Sequence, residues 1–331
     1  MMFDLVTFGE AMLRLSPPHF QRLEQTTSFD AYIGGAELNV AATATRLGLS
    51  TTYITCLPRN PLGRMVRNKT REQGIDTSYI IWSDEDRLGI YFLEFGALPR
   101  PSTVFYDRAN SAVSKIQPGM VDWANLFSEA RAFHLTGITP ALSSSAAETT
   151  REALSQARKA NLLVSFDLNY RARLWSTEQA KNTLTPLMEY IDILFTTEED
   201  TARVFQIEGK DYKEVALKLA EHFNFKVVAI TLRENISVWR NYWTAIVYHQ
   251  GKFYEDRKYD VEIVDRLGAG DSFVGGFLYG YLTNKEDIER ALKYGTAVSA
   301  LKHSNPGDLN WFAPEEVEKL IAGGASIRIT R

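Results

Sequence analysis

The 331-residue chain has one cysteine, Cys56, so it cannot form an internal disulfide bond, which is typical of a reducing compartment. It lacks any apolar run near the ~18 residues that a membrane span requires. The first residues, Met1–Val6, lack the basic segment of a signal peptide. There is no excess of basic charge either, because 37 basic and 41 acidic residues give a net charge of −4. These absences predict a soluble cytoplasmic protein that binds neither nucleic acid nor a membrane.

The sequence does have the composition of an ordinary globular protein, with 45% hydrophobic and 24% charged residues. From about residue 132, strand-like and helix-like segments alternate, which predicts a mostly parallel sheet covered by helices. The predicted strands are Ala132–Thr136, Leu162–Asp167, Ile191–Thr196 and Lys226–Leu232; the predicted helices between them are Ser145–Ala160, Thr177–Tyr190 and Tyr212–Phe223. Residues 235–255 are typical of antiparallel edge strands. We interpret the chain as one α/β domain.

Two segments, near residues 13–33 and 87–107, do not follow this alternation. Gly89–Phe95 and Thr103–Tyr106 are aromatic, β-prone runs, and Pro99 and Pro101 separate them. This pattern is typical of a hairpin rather than of a strand–helix–strand unit. The sequence therefore predicts a small β appendage on the α/β domain.

The segment Asp265–Phe273 has the sequence DRLGAGDSF, and it connects a strand-like segment to a helix rich in small residues. Two glycines around an alanine let consecutive backbone N–H groups turn toward one point, where the helix N-terminus adds partial positive charge. This arrangement predicts an anion site. Asp271 would then be either the cap of the helix or a general base beside the anion. Phe273 occupies the place of the third glycine of a dinucleotide-binding fingerprint, which excludes that motif.

A second glycine motif, Gly34–Asn39 with the sequence GGAELN, lies where a strand-like segment meets a predicted helix. A double glycine lets a small ligand approach the backbone closely. The Asn39 amide offers both a donor and an acceptor to hydroxyl groups. By itself, this motif resembles many helix starts.

Taken together, the motifs Gly34-Gly35-Ala36-x-x-Asn39 and Asp265-x-x-Gly268-Ala269-Gly270-Asp271 resemble the two signatures of the PfkB (ribokinase-like) family of sugar and nucleoside kinases. The resemblance covers essentially the whole chain. Within the family, the stretches DRLGAGD at 265–271, YDRANSA at 106–112 and FDLNYRARLW at 166–175 resemble the 2-keto-3-deoxygluconate kinases.

The resemblance implies a three-layer α/β/α fold in a single domain over residues 1–331, with a β-sheet lid formed by the 13–33 and 87–107 segments. It implies ATP-dependent phosphorylation of 2-keto-3-deoxygluconate to the 6-phosphate, with Mg²⁺ as cofactor. The implied partners are the small sugar acid and ATP, together with a second copy of the chain in a homo-oligomer formed through the lid.

The resemblance also implies roles for individual residues. Asp271 would be the base toward the acceptor hydroxyl, and the amides of Gly268, Ala269 and Gly270 would hold the transferring phosphoryl group. Substrate contacts are implied for Gly34, Gly35, Ala36, Glu37, Leu38, Asn39, Tyr91, Tyr106, Arg108, Arg171 and Asp308. Nucleotide contacts are implied for Asn169, Arg171, Thr231, Arg233, Glu234, Gly268 and Gly270, and a metal contact for Asp200.

Two segments depart from the family pattern. Thr197–Asp200, with the sequence TEED, stands where the family has Asn-x-x-Glu, and residues 231–236 lack the glycines usual in the nucleotide loop. Two alternatives also stay open: a kinase of a neutral sugar such as fructose or ribose, and a non-catalytic sugar sensor. Arginines at the acid end of the pocket favour a sugar acid, because a guanidinium binds carboxylate with two prongs. The retained Asp271 and its glycines favour an enzyme over a sensor.

Overall fold

The computed structural model describes residues 2–284 and 286–324. Its strands are β1 Phe3–Phe8, β2 Met12–Ser16, β3 Asp30–Gly34, β4 Thr51–Ile54, β5 Cys56–Pro58, β6 Ile81–Ser83, β7 Gly89–Glu94, β8 Thr103–Asp107, β9 Ala130–Thr136, β10 Leu163–Asp167, β11 Ile193–Thr196, β12 Val227–Ser237, β13 Arg240–His249, β14 Lys252–Glu255 and β15 Tyr259–Glu262. Its α-helices are α1 Ala36–Leu47, α2 Pro61–Glu72, α3 Trp123–Phe127, α4 Ile138–Ala141, α5 Ser144–Lys159, α6 Thr177–Leu184, α7 Glu198–Phe205, α8 Tyr212–Phe223, α9 Ala269–Thr283, α10 Ile288–Lys302 and α11 Pro314–Ile321.

A main sheet contains the order β14-β13-β12-β11-β10-β9-β1-β4, and β15 also pairs with β13. The strands from β4 to β12 along this order are parallel to their neighbours, so their carboxyl ends meet at one edge. Alternate side chains of a strand point to opposite faces, and the buried residues accordingly form separate cores on the two faces. One core includes residues of α5, α6, α7 and α8, and the other includes residues of α1, α9, α10 and α11. This is the predicted three-layer α/β/α arrangement.

A second sheet, called the small sheet below, has the order β3-β2-β7-β8. The strands β7 and β8 form an antiparallel hairpin in which Tyr91 lies opposite Tyr106, as the aromatic runs predict. The strands β2 and β7 pair in parallel and join the hairpin to the segment that precedes α1. The predicted β appendage therefore exists and draws its strands from the two predicted segments.

Three local predictions differ from the structure. The predicted helix Thr177–Tyr190 ends as an α-helix at Leu184 and continues as a 3₁₀ turn, because Pro186 cannot donate a backbone hydrogen bond. The expected nucleotide loop at 231–236 is the end of β12, which pairs with β13 as far as Ser237. Helix α7 was not predicted, although Thr197 caps it by accepting a hydrogen bond from the Asp200 backbone N–H at 3.1 Å. Over the described residues, no helix combines the length and apolar character needed to cross a membrane.

Candidate active site

The segment Gly268–Asp271, called the anion loop below, forms the N-cap and first turn of α9, at the end of the main sheet where the parallel strands finish. Gly268 has φ +79°, and a Cβ there would lie 1.9 Å from the Asp308 carbonyl oxygen, so only glycine fits. Gly270 is exposed, and a Cβ there would meet no atom within 4 Å. No side chain caps the N-terminus of α9. The loop therefore presents backbone N–H groups and the helix end to open space, which suits an anion.

A cavity of about 510 Å³ lies over the anion loop. Its lining includes most of the positions expected to contact a nucleotide or metal: Asn169, Arg171, Thr231, Arg233, Gly268, Gly270 and Asp200. Glu234 is different, because its exposed carboxylate pairs with Lys258 at 3.4 Å and does not line the cavity. The expected nucleotide contact of Glu234 is therefore corrected: in strand β12, its side chain points away from its cavity-lining neighbour Arg233.

Asp271 lies where the two glycine motifs meet. The Asn39 side-chain amide donates a hydrogen bond of 2.7 Å to Asp271 Oδ2, which joins the first turn of α1 to the first turn of α9. Burial raises the pKa of Asp271 to about 7, while the Asn39 hydrogen bond and the Arg171 charge oppose the rise. A carboxylate that titrates near neutrality is well suited to accept a proton from a hydroxyl group.

The first glycine motif contacts the rest of the molecule closely. A Cβ at Gly34 would lie 2.5 Å from Asp308 Oδ2, and one at Gly35 would lie 2.1 Å from the Glu10 carbonyl oxygen. Gly35 and Ala36 are partly exposed. These two residues are therefore the part of the motif that a bound molecule can reach.

Glu37 and Leu38, the next two residues of that motif, face the interior. The expectation that their side chains contact substrate is therefore corrected. Glu37 is buried, and its Oε1 accepts hydrogen bonds from the hydroxyl groups of Thr136 and Thr139, both at 2.7 Å. Leu38 is fully buried in a hydrophobic cluster under the small sheet. Both side chains fix the start of α1, because helical spacing turns them toward the sheet rather than toward the cleft.

A second cavity, of about 850 Å³, adjoins the small sheet. Tyr106, Arg108, Arg171 and Arg173 line it, and Arg171 also lines the cavity over the anion loop. Arg108 is held from behind by an ion pair with the buried carboxylate of Glu10, and its guanidinium lies 5.5 Å from the centre of the Tyr106 ring. The second cavity therefore has three arginines at its wall, one of which is shared with the first cavity.

The Tyr91 hydroxyl group is already engaged inside the protein. Tyr91 is 4% exposed, and its hydroxyl donates a hydrogen bond of 2.5 Å to Asp308 Oδ2. Asp308 is also buried. The Tyr91 side chain therefore lies against the Asp308 carboxylate, and its expected contact with substrate stays a prediction.

The sequence reasoning missed Arg14, which is fully buried between the small sheet and the anion loop. It pairs with Asp265 at 2.6 Å and with Asp308 at 2.9 Å, and its Nε donates a hydrogen bond of 2.9 Å to Ser16. A single charged residue inside the apolar strand MLRLS is the signal that could have found it, because an unpaired buried charge is too costly to occur.

Asp167 is a second addition to the site. Burial raises the pKa of Asp167 well above its ordinary value, and the nearby charges of Asp271 and Asp200 act in the same direction. Five carboxyl groups line the cavity over the anion loop, and the charge of Arg171 lowers the pKa of three of them, Asp167, Asp200 and Asp271. Within residues 2–284 and 286–324, no group of three acidic, histidine or cysteine side chains could hold a metal ion by itself.

Comparison with known proteins agrees with this geometry. Residues 2–315 match the model of the pfkB family carbohydrate kinases. The chain is 41% identical over 321 residues to a 2-dehydro-3-deoxygalactonokinase of Haloferax volcanii, with 97% of each chain covered. It is 30% identical over 327 residues to a 5-dehydro-2-deoxygluconokinase of Listeria monocytogenes, with 97% of this chain and 96% of that protein covered.

Among solved structures, the crystal structure of 2-dehydro-3-deoxygluconokinase from Thermotoga maritima superimposes with a TM-score of 0.94 at 45% identity, and the match covers 97% of this chain and 100% of that chain. These findings confirm the family and the fold that the two glycine motifs predict. The chain is a sugar kinase with a ribokinase-like α/β fold, and it belongs to the pfkB family of carbohydrate kinases.

Proposed function

We propose that this sugar kinase transfers the terminal phosphoryl group of ATP to the terminal hydroxyl of 2-keto-3-deoxygluconate, giving 2-keto-3-deoxy-6-phosphogluconate. The main support for this proposal is that two cavities share Arg171. One lies over the anion loop, and the other has arginines at its wall. The three relatives above are named as kinases of dehydro-deoxy sugar acids, which supports the same substrate class. We also propose that the whole chain is one kinase domain, with the small sheet as its lid.

The residues over the anion loop fit the phosphates of ATP. Gly270 leaves open space at the uncapped end of α9, and Arg171, Arg233 and Arg266 line the same cavity with positive charge. Mg²⁺ bound to the phosphates would neutralise part of their negative charge during transfer. We propose that Asp200 holds this ion through water, because Mg²⁺ usually keeps several waters and takes its other ligands from phosphate oxygens.

The acceptor hydroxyl would lie between the Asp271 carboxylate and the phosphoryl group held over the anion loop. As the hydroxyl oxygen forms its bond to phosphorus, its proton passes to the Asp271 carboxylate, and the bond to the departing ADP breaks on the opposite side. The loop amides would stabilise the charge on the transferring group. Gly35 and Ala36 would lie against the sugar, and Arg108 and Arg171 would bind its carboxylate.

Steady-state kinetics with ATP tests the substrate class. We expect kcat/KM for 2-keto-3-deoxygluconate to exceed that for fructose and ribose by about tenfold to a hundredfold, since a charged hydrogen bond contributes about 1.5–3 kcal/mol. The galactonate-derived epimer belongs in the same panel, because one relative is named for it. Equal use of fructose or ribose would replace the proposal with a neutral-sugar kinase. Binding of sugar acid without any turnover would indicate a sensor.

The carboxylate contact is tested by Arg108→Lys. We expect the KM for the sugar acid to rise about tenfold to a hundredfold, since a lysine cannot reproduce a two-pronged contact. Arg100→Lys is a matched control, because Arg100 also lies beside the small sheet and pairs with Glu94 at 2.7 Å, outside either cavity. Similar KM values for Arg108→Lys and the control would remove Arg108 from the carboxylate site.

We further propose that two copies of the chain associate through the small sheet. Its strand β8 is an edge strand, and Phe105 and Tyr106 on it are 47% and 42% exposed. An exposed edge with apolar side chains is a surface that another chain can pair with. Sedimentation velocity should therefore show an oligomer that Phe105→Asp weakens. Oligomers unaffected by Phe105→Asp would place the interface elsewhere.

A further inference from the structure

We infer that Arg14 sets the affinity for the acceptor sugar without touching it, by fixing the Asp308 carboxylate as a hydrogen-bond acceptor for a substrate hydroxyl group. Arg14 is then a positioning residue, and Asp308 is the group that meets the ligand. This inference rests on the proposed function, because it concerns the acceptor side of the same site.

Arg14 cannot reach a bound molecule directly. Its side chain is fully buried, whereas 7% of the Asp308 side chain is exposed. The three donor nitrogens of Arg14 are committed inside the protein, Nη1 to Asp308, Nη2 to Asp265 and Nε to Ser16. Any effect of Arg14 on substrate must therefore pass through one of these partners.

Of these partners, Asp308 is the one placed between the two glycine motifs. A Cβ at Gly34 would lie 2.5 Å from its Oδ2, and a Cβ at Gly268 would lie 1.9 Å from its carbonyl oxygen. Arg14 donates to Oδ1 at 2.9 Å, and Tyr91 donates to Oδ2 at 2.5 Å. Each carboxylate oxygen has two lone pairs, so each keeps one for a further donor. A hydroxyl group of a sugar that lies against Gly35 and Ala36 would be such a donor.

The charge of Asp308 depends on Arg14. Burial raises the pKa of Asp308, whereas the Arg14 charge and the hydrogen bonds from Tyr91 and Arg14 lower it. The titratable or charged groups around Asp308 are Arg14, Asp265, Tyr91, Tyr32, Asp271 and Lys302. Arg14 is the cation that contacts the carboxylate directly. Without Arg14, protonation would turn one acceptor oxygen of Asp308 into a donor and would remove the negative charge that strengthens a hydrogen bond from a substrate hydroxyl group.

Through its ion pair with Asp265, Arg14 also has a structural role. Asp265 Oδ1 accepts a hydrogen bond from the Leu267 backbone N–H at 3.1 Å, and Asp265 Oδ2 accepts one from the Gly307 N–H at 3.0 Å. Arg14 therefore also stabilises the start of the anion loop. A loss of stability in an Arg14 variant would not distinguish the two tasks, so the test must isolate the path through Asp308.

A double-mutant cycle isolates that path. Arg14→Gln, Asp308→Asn and the combined variant are compared with the wild type for kcat and for the KM of sugar acid and of ATP. We expect Arg14→Gln to raise the sugar-acid KM about tenfold or more and the ATP KM less than about threefold. In the Asp308→Asn background, Arg14→Gln should change the sugar-acid KM less than about threefold, because residues that act through one contact are not additive.

The pH dependence supplies a readout that a purely structural role would not change. The ratio of sugar-acid KM in Arg14→Gln to that in the wild type should fall as the pH rises, since Asp308 regains its charge above its raised pKa. Arg158→Gln is the control variant, because it removes a partner of the buried Asp192 at the opposite end of the sheet strands. It should leave both KM values unchanged.

Additive effects in the cycle, equal increases in both KM values, or a pH-independent ratio would each overturn the inference. If Arg14→Gln fails to fold because two buried acids lose their cation, Arg14→Lys replaces it. A lysine keeps the charge but cannot serve three partners in the guanidinium geometry, so a smaller rise in sugar-acid KM is expected, again suppressed by Asp308→Asn. If the wild type prefers a neutral sugar, the substrate assignment fails, and the same cycle with that sugar still tests Arg14.

Discussion

Helices α1 and α9 both begin at glycines, neither has a side-chain cap, and the Asn39–Asp271 hydrogen bond joins their first turns. The N-cap glycines Gly35 and Gly268 both allow a close backbone contact, and Gly270 in the first turn of α9 does not have one. A Cβ at Gly35 would lie 2.1 Å from the Glu10 carbonyl oxygen, so glycine there lets two backbone segments pack together. A Cβ at Gly270 would meet nothing within 4 Å. Glycine at the start of α1 makes room for protein, whereas Gly270 leaves room for a bound group.

The largest effect should follow from Asp271→Asn, which leaves both helix starts intact and removes only the base. General-base catalysis contributes about 10²–10⁴-fold, so kcat should fall by that factor while the sugar-acid KM changes little. Asp287→Asn makes the same change at the N-cap of α10 and should leave kcat unchanged. Near-normal turnover in Asp271→Asn would remove Asp271 from the mechanism.

The same variant makes an independent prediction about stability. Because burial raises the pKa of Asp271 to about 7, its ionised form is disfavoured in the folded protein. Asp271 therefore contributes stability that is fully present below its unfolded-state pKa of about 4 and is lost as the pH rises through about 7. Asp271→Asn should thus melt no earlier than the wild type at about pH 8, and a clearly lower melting temperature would contradict the raised pKa.

Gly270→Val and Gly35→Ala separate the two helix starts directly. Gly270→Val places a side chain where the phosphoryl group would lie, so kcat should fall by about 10²–10³-fold with the melting temperature nearly unchanged. Gly35→Ala drives a methyl group into the backbone of Glu10, so it should cost about 1–3 kcal/mol of unfolding free energy. Measuring the melting temperature and kcat of both variants compares the two effects. Normal turnover in Gly270→Val would mean that the anion loop is only a helix start.

Local sequence patterns were enough to predict the anion loop and the place of Asp271 in it. Gly268, Gly270 and Asp271 are consecutive or nearly so, and their chemistry depends on the backbone of one turn. The alternation of strands and helices after residue 132 likewise follows from short-range periodicity. Helix α7 was missed although its Thr197 cap and its acidic first turn, both typical of a helix start, were visible in the sequence.

The features that could not be predicted depend on distant partners. Arg14 and Asp308 are 294 positions apart, and only the packing of the small sheet against the main sheet brings them together. The roles of Glu37 and Leu38 depend on which face of α1 turns inward. The pKa of Asp271 depends on burial beneath residues from several elements. Sequence motifs therefore locate the reacting groups, and tertiary packing decides which neighbours tune them.

The smallest effect should come from Asn39→Ala, which breaks the hydrogen bond between the two helix starts. That bond lowers the pKa of Asp271, so its loss should raise the pKa above its value of about 7. The base must be ionised to accept a proton, so kcat/KM should rise with pH through this pKa. The midpoint of that rise should move upward by about 0.5–1 pH unit in the variant.

The pH–rate profile of Asn39→Ala should therefore show a several-fold loss below neutrality and a nearly normal rate in the alkaline range, where Asp271 is ionised in both proteins. Thr43→Val is the matched control, because the Thr43 hydroxyl joins the same two helices through Ser272 at 3.3 Å without contacting Asp271. If the mutation only loosened the packing of α1 against α9, the midpoint of the pH–rate profile would shift equally in both variants. An upward shift confined to Asn39→Ala would show that the first glycine motif acts on the second through the charge of Asp271, whereas an unchanged midpoint would mean that Asn39 only ties α1 to α9.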